Sequence, residues 1–198
     1  MRECRFNPMA TSAIDNQAYP FGTVLTAMVT PFDEAGEVDY ALAAKLATKL
    51  VDDGCDGLVV TGTTGETSTL TDEENIEMFR TVAEAVGGRA AVLAGSTTND
   101  TRHSIKLSLA AKEAGVDGVL LTTPYYNKPS QAGVIAHVKA IAEAVELPIM
   151  LYDIPGRTGI ALAPETIIEL AKIPQVIALK DAKADYQSTT TVLANTDL

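Results

Sequence analysis

The sequence predicts one α/β domain built on a parallel sheet, and three features predict it. Short apolar runs recur roughly every 30 residues, the length of one strand–helix unit. Most of these runs are continuous rather than alternating, as strands covered on both faces require. Two segments, "GCDGLVV" (54–60) and "GVDGVLL" (115–121), are near-copies that join a helix end to a strand. No linker-like stretch separates one unit from the next, so a single domain is expected.

In chain order the strand candidates are Thr23–Thr30, Gly57–Val60, Ala90–Ala94, Gly118–Leu121, Pro148–Tyr152 and the run "VIALK" at Val176–Lys180. Between them lie amphipathic helical patterns at 39–54, 71–88, 100–115, 130–145 and 164–173. Their ends carry ordinary capping chemistry. Thr71 with Glu74 makes a capping box, Pro164 suits a first helical turn, and Gly54 and Gly115 suit the C-terminal ends of two helices. Six units of this kind fit either an open doubly wound sheet or a (β/α)8 barrel. No G-x-G-x-x-G follows the first strand, which weakens the dinucleotide-binding form of the open sheet. A full barrel is typically about 250 residues, so a barrel here is expected to stop after its sixth unit.

The formal net charge of −11 argues against nucleic acid or an anionic membrane surface as a partner, because both select basic patches. Residues 1–20 contain no continuous apolar segment of the secretory type and are expected to form a loose N-terminal tail, with the barrel units occupying 21–198. Cys4 and Cys55 have no metal-like spacing partner and read as reduced, cytoplasmic thiols. The two histidines, His103 and His137, fall in helical patterns away from the strand ends and are expected at the surface. No metal site is expected.

In either architecture ligands bind at the carboxyl ends of the strands. There the sequence collects "TGTTGET" (Thr61–Thr67), "TTPYYNKPS" (Thr122–Ser130), "YDIPGRTG" (Tyr152–Gly159) and Lys180. Hydroxyls, phenols, one guanidinium and one amine on one rim suit carbonyl chemistry. A free lysine has a pKa of about 10.4, so near pH 7 under roughly one molecule in a thousand carries the nucleophilic amine. Burial disfavours the ammonium and brings the amine within reach of neutral pH. The amine then attacks a ketone to form an imine, an electron sink for the neighbouring carbon. Paired threonines in a glycine turn offer hydroxyl and backbone donors to a carboxylate.

The motifs "GTTGE", "TPYYNKPSQ", "YDIPGRTG" and "LKDAKAD" resemble the dihydrodipicolinate synthase family of pyruvate-dependent class I aldolases, within the N-acetylneuraminate lyase superfamily. The resemblance runs from Phe21 to Leu198 and implies a TIM barrel whose seventh and eighth units and C-terminal helical domain are missing from this stretch. It implies Lys180 as the Schiff-base lysine, Tyr152 as the proton relay, and Thr63 linking that tyrosine to Tyr126, which reaches into a neighbouring subunit of a homotetramer. Gly62, Thr64 and the adjacent backbone take the pyruvate carboxylate, and Arg157 holds the carboxylate of L-aspartate 4-semialdehyde. No cofactor is implied. Two other readings stay open: a sister aldolase acting on N-acetylneuraminate or a 2-keto-3-deoxy sugar acid, and an inactive piece of such an enzyme. Arg157 favours the synthase, since sister enzymes generally lack arginine there.

Overall fold

The computed structural model describes residues 20–198; the expected tail up to residue 19, with Cys4, lies outside the described residues. Six parallel strands form one sheet in strict sequence order: β1 (Leu25–Ala27), β2 (Gly57–Val60), β3 (Ala91–Ala94), β4 (Gly118–Thr122), β5 (Ile149–Asp153) and β6 (Val176–Asp181). The crossovers carry α1 (Tyr40–Asp52), α2 (Asp72–Val86), α3 (Thr101–Glu113) and α4 (Gln131–Val145). A short α5 (Pro155–Thr158) and α6 (Pro164–Leu170) follow β5, and α7 (Tyr186–Leu193) follows β6.

Most helix starts are built by side-chain caps. Asp39, Asp100, Ser130 and Asp185 each accept an N–H from the first turn, and Thr71 and Glu74 form the reciprocal capping box that the spacing predicts. The near-copied segments share a physical role. After α1 the Gly54 and Cys55 N–H groups donate back to Val51 and Leu50; after α3 the Gly115 and Val116 N–H groups donate to Lys112 and Ala111. Both are Schellman closures with a left-handed glycine, at φ 105° and 90°. The aspartate that follows each glycine then grips the start of the preceding strand. Asp56 accepts from the N–H groups of Thr23 and Val24, and Asp117 from the N–H of Val92.

A flat sheet would hold β1 and β6 about 24 Å apart, five spacings of roughly 4.8 Å. Instead, Leu25 of β1 and Ile177 and Ala178 of β6 pack on one inner cluster with Phe21, Val59, Leu93, Leu120, Met150 and Tyr152. All six strands thus contribute to a common interior, which requires the sheet to curl as a barrel wall. β1 and β6 are not hydrogen-bonded to each other. Two further apolar clusters fill the outer layer, one beneath α1 to α3 and one beneath α4, α6 and α7.

The structure departs from the sequence expectation at both ends of the sheet. β1 keeps only three residues of Thr23–Thr30, and at its start the Thr23 and Val24 amides are taken by Asp56. β6 reads as buried in sequence but is only half-buried from Ile177 to Lys180, having one neighbouring strand, and it runs on to Asp181. Among the described residues no helix is long and apolar enough to cross a membrane.

Gly118 opens β4 where a Cβ would stand 2.9 Å from the Phe21 ring and 2.9 Å from the Pro148 carbonyl. Gly118→Ala should therefore overpack the closed end of the sheet and cost about 1–3 kcal/mol in urea denaturation. Unchanged stability would mean that Phe21 yields freely and does not brace the interior.

Candidate active site

Three inward-facing residues sit side by side on adjacent strands. Thr122 of β4 is the register partner of Tyr152 of β5, and Tyr152 is the partner of Lys180 of β6. The Lys180 Nζ lies 4.4 Å from the centre of the Tyr152 ring. Partial burial lowers the Lys180 pKa from that of a free lysine. The ring face attracts an ammonium and opposes that shift, but desolvation sets its direction. Among the described residues the amine has no hydrogen-bond or ion-pair partner.

Lys183, three residues on, is in a different state. Its side chain is only 15% exposed, and its Nζ donates to the Leu162 carbonyl at 3.2 Å and to Ser188 Oγ at 2.9 Å, with Asp185 at 3.8 Å. It is a structural lysine, in the loop between β6 and α7 with its side chain held inside the fold.

Beside Thr122 opens a cavity of about 250 Å³. Hydroxyls dominate its lining, Arg157 is its one charged residue, and no carboxylate faces it. The "GTTGE" segment forms one wall. Gly65 and Thr67 N–H groups close turns onto the Gly62 carbonyl, and Glu66 takes a left-handed φ of 58°. Among the described residues the Thr63 and Thr64 N–H groups donate to no protein acceptor, which leaves two adjacent backbone donors open to an anion.

The residues singled out in the sequence fall into three groups. Gly62, Thr63 and Arg157 line the cavity. Tyr152 and Lys180 stand next to it through Thr122, on the side where β6 has no further strand beyond it. Thr64 is exposed and outside the lining, as is Tyr126, which is 86% exposed on a left-handed backbone with φ 68°. Tyr125 is the tyrosine that reaches the cavity. Among the described residues no hydrogen bond joins the hydroxyls of Thr63, Tyr126 and Tyr152. The expectation of two surface histidines fails for His137. It is 5% exposed, its Nδ1 lies 2.8 Å from Thr101 Oγ1, and burial lowers its pKa. His103 is part-buried and paired with Asp72 at 2.8 Å.

The family model described as "Dihydrodipicolinate synthetase family" matches residues 20–197. The chain belongs to this family. A 4-hydroxy-tetrahydrodipicolinate synthase of Acidothermus cellulolyticus is 57% identical over 179 residues, 90% of this chain and 58% of that protein. Its counterpart in Mycobacterium leprae is 53% identical over 177 residues, 89% of this chain and 59% of that protein. The crystal structure of a dihydrodipicolinate synthase from Bacillus anthracis superposes with a TM-score of 0.87 at 47% identity, covering 89% of this chain and 60% of that one. The chain thus spans about three fifths of the length of the relatives it matches.

One further residue of this chain, Asp153, ties the rim together. Asp153 directly follows Tyr152, so strand alternation turns it to the opposite face, among the helices. It is 1% exposed. Its Oδ1 accepts from the Leu162 N–H at 3.1 Å, while Oδ2 has no partner. Its own carbonyl accepts from Ala182 N–H at 2.9 Å. Leu162 is thus gripped at its N–H by Asp153 and at its carbonyl by Lys183, which pins the segment carrying Arg157 to the strand carrying Lys180. A charged residue ending an apolar strand was the available signal.

Burial pushes the Asp153 pKa up, only partly offset by the Leu162 bond and the Lys183 charge. A raised acid favours the fold most when protonated, below the unfolded value of about 3.9, and loses that contribution as pH rises through its folded value. Asp153→Asn should therefore raise the thermal midpoint at pH 7, by about 2–4 °C for each kcal/mol relieved, and the gain should shrink toward pH 4. A gain that is equal at both pH values would show that Asp153 does not titrate within the fold.

Proposed function

We propose that this chain carries the pyruvate-activating half of a 4-hydroxy-tetrahydrodipicolinate synthase, a Schiff-base lyase that condenses pyruvate with L-aspartate 4-semialdehyde in lysine and diaminopimelate biosynthesis. The observation that carries the reading is the pairing of Tyr152 with Lys180 in adjacent register, the amine unpartnered and partly desolvated, beside a cavity whose one charge is cationic. Family membership narrows the chemistry to this class.

In this reading the neutral Lys180 amine attacks the ketone carbon of pyruvate. The carbinolamine loses water as the Tyr152 hydroxyl supplies a proton to the departing oxygen, and an imine forms. Loss of a methyl proton gives the enamine, whose carbon attacks the aldehyde carbon of the semialdehyde. The amine of that substrate then adds to the imine carbon, closes the ring and expels Lys180. The open N–H groups of Thr63 and Thr64, with Gly62, hold the pyruvate carboxylate, and Arg157 holds the carboxylate of the second substrate. Thr63 passes protons between Tyr152 and the Tyr126 of a neighbouring subunit. The outward projection of Tyr126 suits a residue that completes a neighbouring subunit's site in a homotetramer. The barrel units occupy 21–198 and the compartment is the cytoplasm. The chemistry needs no cofactor.

Treating the protein with pyruvate and borohydride should add one reduced pyruvate to Lys180 and none to Lys183, and labelling against pH should inflect below the value for free lysine, because burial lowers the Lys180 pKa. Label on Lys183, or none, would remove the mechanism.

Arg157 is exposed, so its contact with a carboxylate belongs near the low end for charged hydrogen bonds, about 1.5 kcal/mol or roughly ten-fold. Arg157→Ala should raise the KM for aspartate semialdehyde by that factor and leave pyruvate trapping intact. A variant that condenses the aldehyde as well as its parent would favour a sister aldolase.

A further inference from the structure

We infer that the Thr61 hydroxyl is a further keto-acid-binding group, donating to the carboxylate of the substrate held beside Lys180; the inference rests on the aldolase reading above. Thr61 directly follows β2, two residues after Val59, which packs in the inner cluster. It is 1% exposed, yet it lines the cavity, and its Oγ1 has no hydrogen-bond partner. The other buried side-chain atoms without partners, on Thr123, His137 and Asp153, do not reach that cavity. By contrast, the hydroxyls of Thr67, Thr97 and Thr158, which share the lining, are already bonded to protein atoms.

The backbone strengthens the case. Thr61 has a φ of 46°, a left-handed conformation that a β-branched residue adopts only under constraint. The constraint is visible on both sides. A Cβ on Gly65 would stand 2.9 Å from the Thr61 Cα, and one on Gly95 would stand 2.3 Å from the Thr61 carbonyl oxygen. The chain therefore holds this residue in place by packing two bare glycine backbones against it. Glycine would relieve the strain at position 61 itself, but it would remove the hydroxyl. A buried hydroxyl, strained into position and left without a partner, suits a ligand oxygen in the cavity it lines. The open Thr63 and Thr64 N–H groups lie two and three residues on, so one short segment presents three donors to the same anion.

The test compares the parent with Thr61→Val and Thr61→Ser, reading the pyruvate concentration that half-saturates borohydride labelling of Lys180, together with thermal midpoints. Valine keeps the β-branching, so backbone strain cancels and only the hydroxyl is read. Thr61→Val should raise the half-saturating pyruvate concentration about ten-fold or more while the midpoint stays level or rises. Thr61→Ser should stay close to the parent. A parent that labels with pyruvate and a valine variant with the same half-saturation would overturn the inference and leave the aldolase reading standing. A valine variant whose midpoint falls while its half-saturation holds would assign the hydroxyl to the fold. A parent that never labels at Lys180 would sink both readings together.

Discussion

The curling of a six-stranded parallel sheet onto one inner apolar cluster is the constraint from which the rest of the molecule follows. Parallel strands joined by helical crossovers send all their carboxyl ends to one rim. Phe21, Leu25, Ala91 and Met150 fill the interior below that rim. The next inward positions on β4, β5 and β6 are then Thr122, Tyr152 and Lys180, and the pairing register leaves them no other relation. A one-residue slip of β6 would send Lys180 to the helical face and bring Leu179 inward. The packing below the rim therefore decides the chemistry above it.

Strain is concentrated at that same rim. Of the non-glycine residues with positive φ, Glu146 merely caps a helix, while Thr61, Glu66, Tyr126, Lys128 and Ala184 all follow the carboxyl ends of β2, β4 and β6. Such conformations persist only where the surroundings over-determine them, at a cost of about 1–3 kcal/mol each. The apolar layers on both sides of the sheet supply that excess, and the rim uses it. Thr61 is fixed by glycine contacts on two sides. Thr30 Oγ1 donates to the Gly65 carbonyl at 2.6 Å and holds the same turn from outside.

Where the physics was local, the residues revealed it. The Thr71–Glu74 box, Pro164 in the first turn of α6, and the glycine closures of α1 and α3 all stand where their spacing puts them. The strand candidate Gly57–Val60 matches β2 residue for residue. Legibility failed where a long-range partner decided the outcome. α7 carries three consecutive threonines, poor helix formers, and is held by Val192 packing into the cluster beneath α4 and α6. His137 looked like a surface residue because its helix is amphipathic, but α3 covers it through Thr101. At the site, the motifs point to Thr63, Thr64 and Tyr126; Thr63 lines the cavity together with Tyr125, while Thr64 and Tyr126 are exposed outside its lining. Sequence adjacency cannot say which of two neighbouring tyrosines turns inward when the backbone at Tyr126 is left-handed.

The contrast between Lys180 and Lys183 shows how one short segment separates a reactive amine from a structural one. Both are lysines within four residues, both are partly buried, and neither forms a close ion pair. The difference lies in satisfaction. Lys183 has a backbone carbonyl and a serine hydroxyl as acceptors and Asp185 within 3.8 Å, so its buried ammonium is hydrogen-bonded and its charge is compensated. Lys180 faces an aromatic ring and otherwise meets apolar strand, so burial acts on it with little to offset it. Desolvation without acceptors favours the neutral amine, whereas the acceptors around Lys183 satisfy its donors. The Asp153–Leu162–Lys183 clamp also ties the Arg157 segment to β6. The lysine that is committed to structure thereby holds the uncommitted one in register with Tyr152.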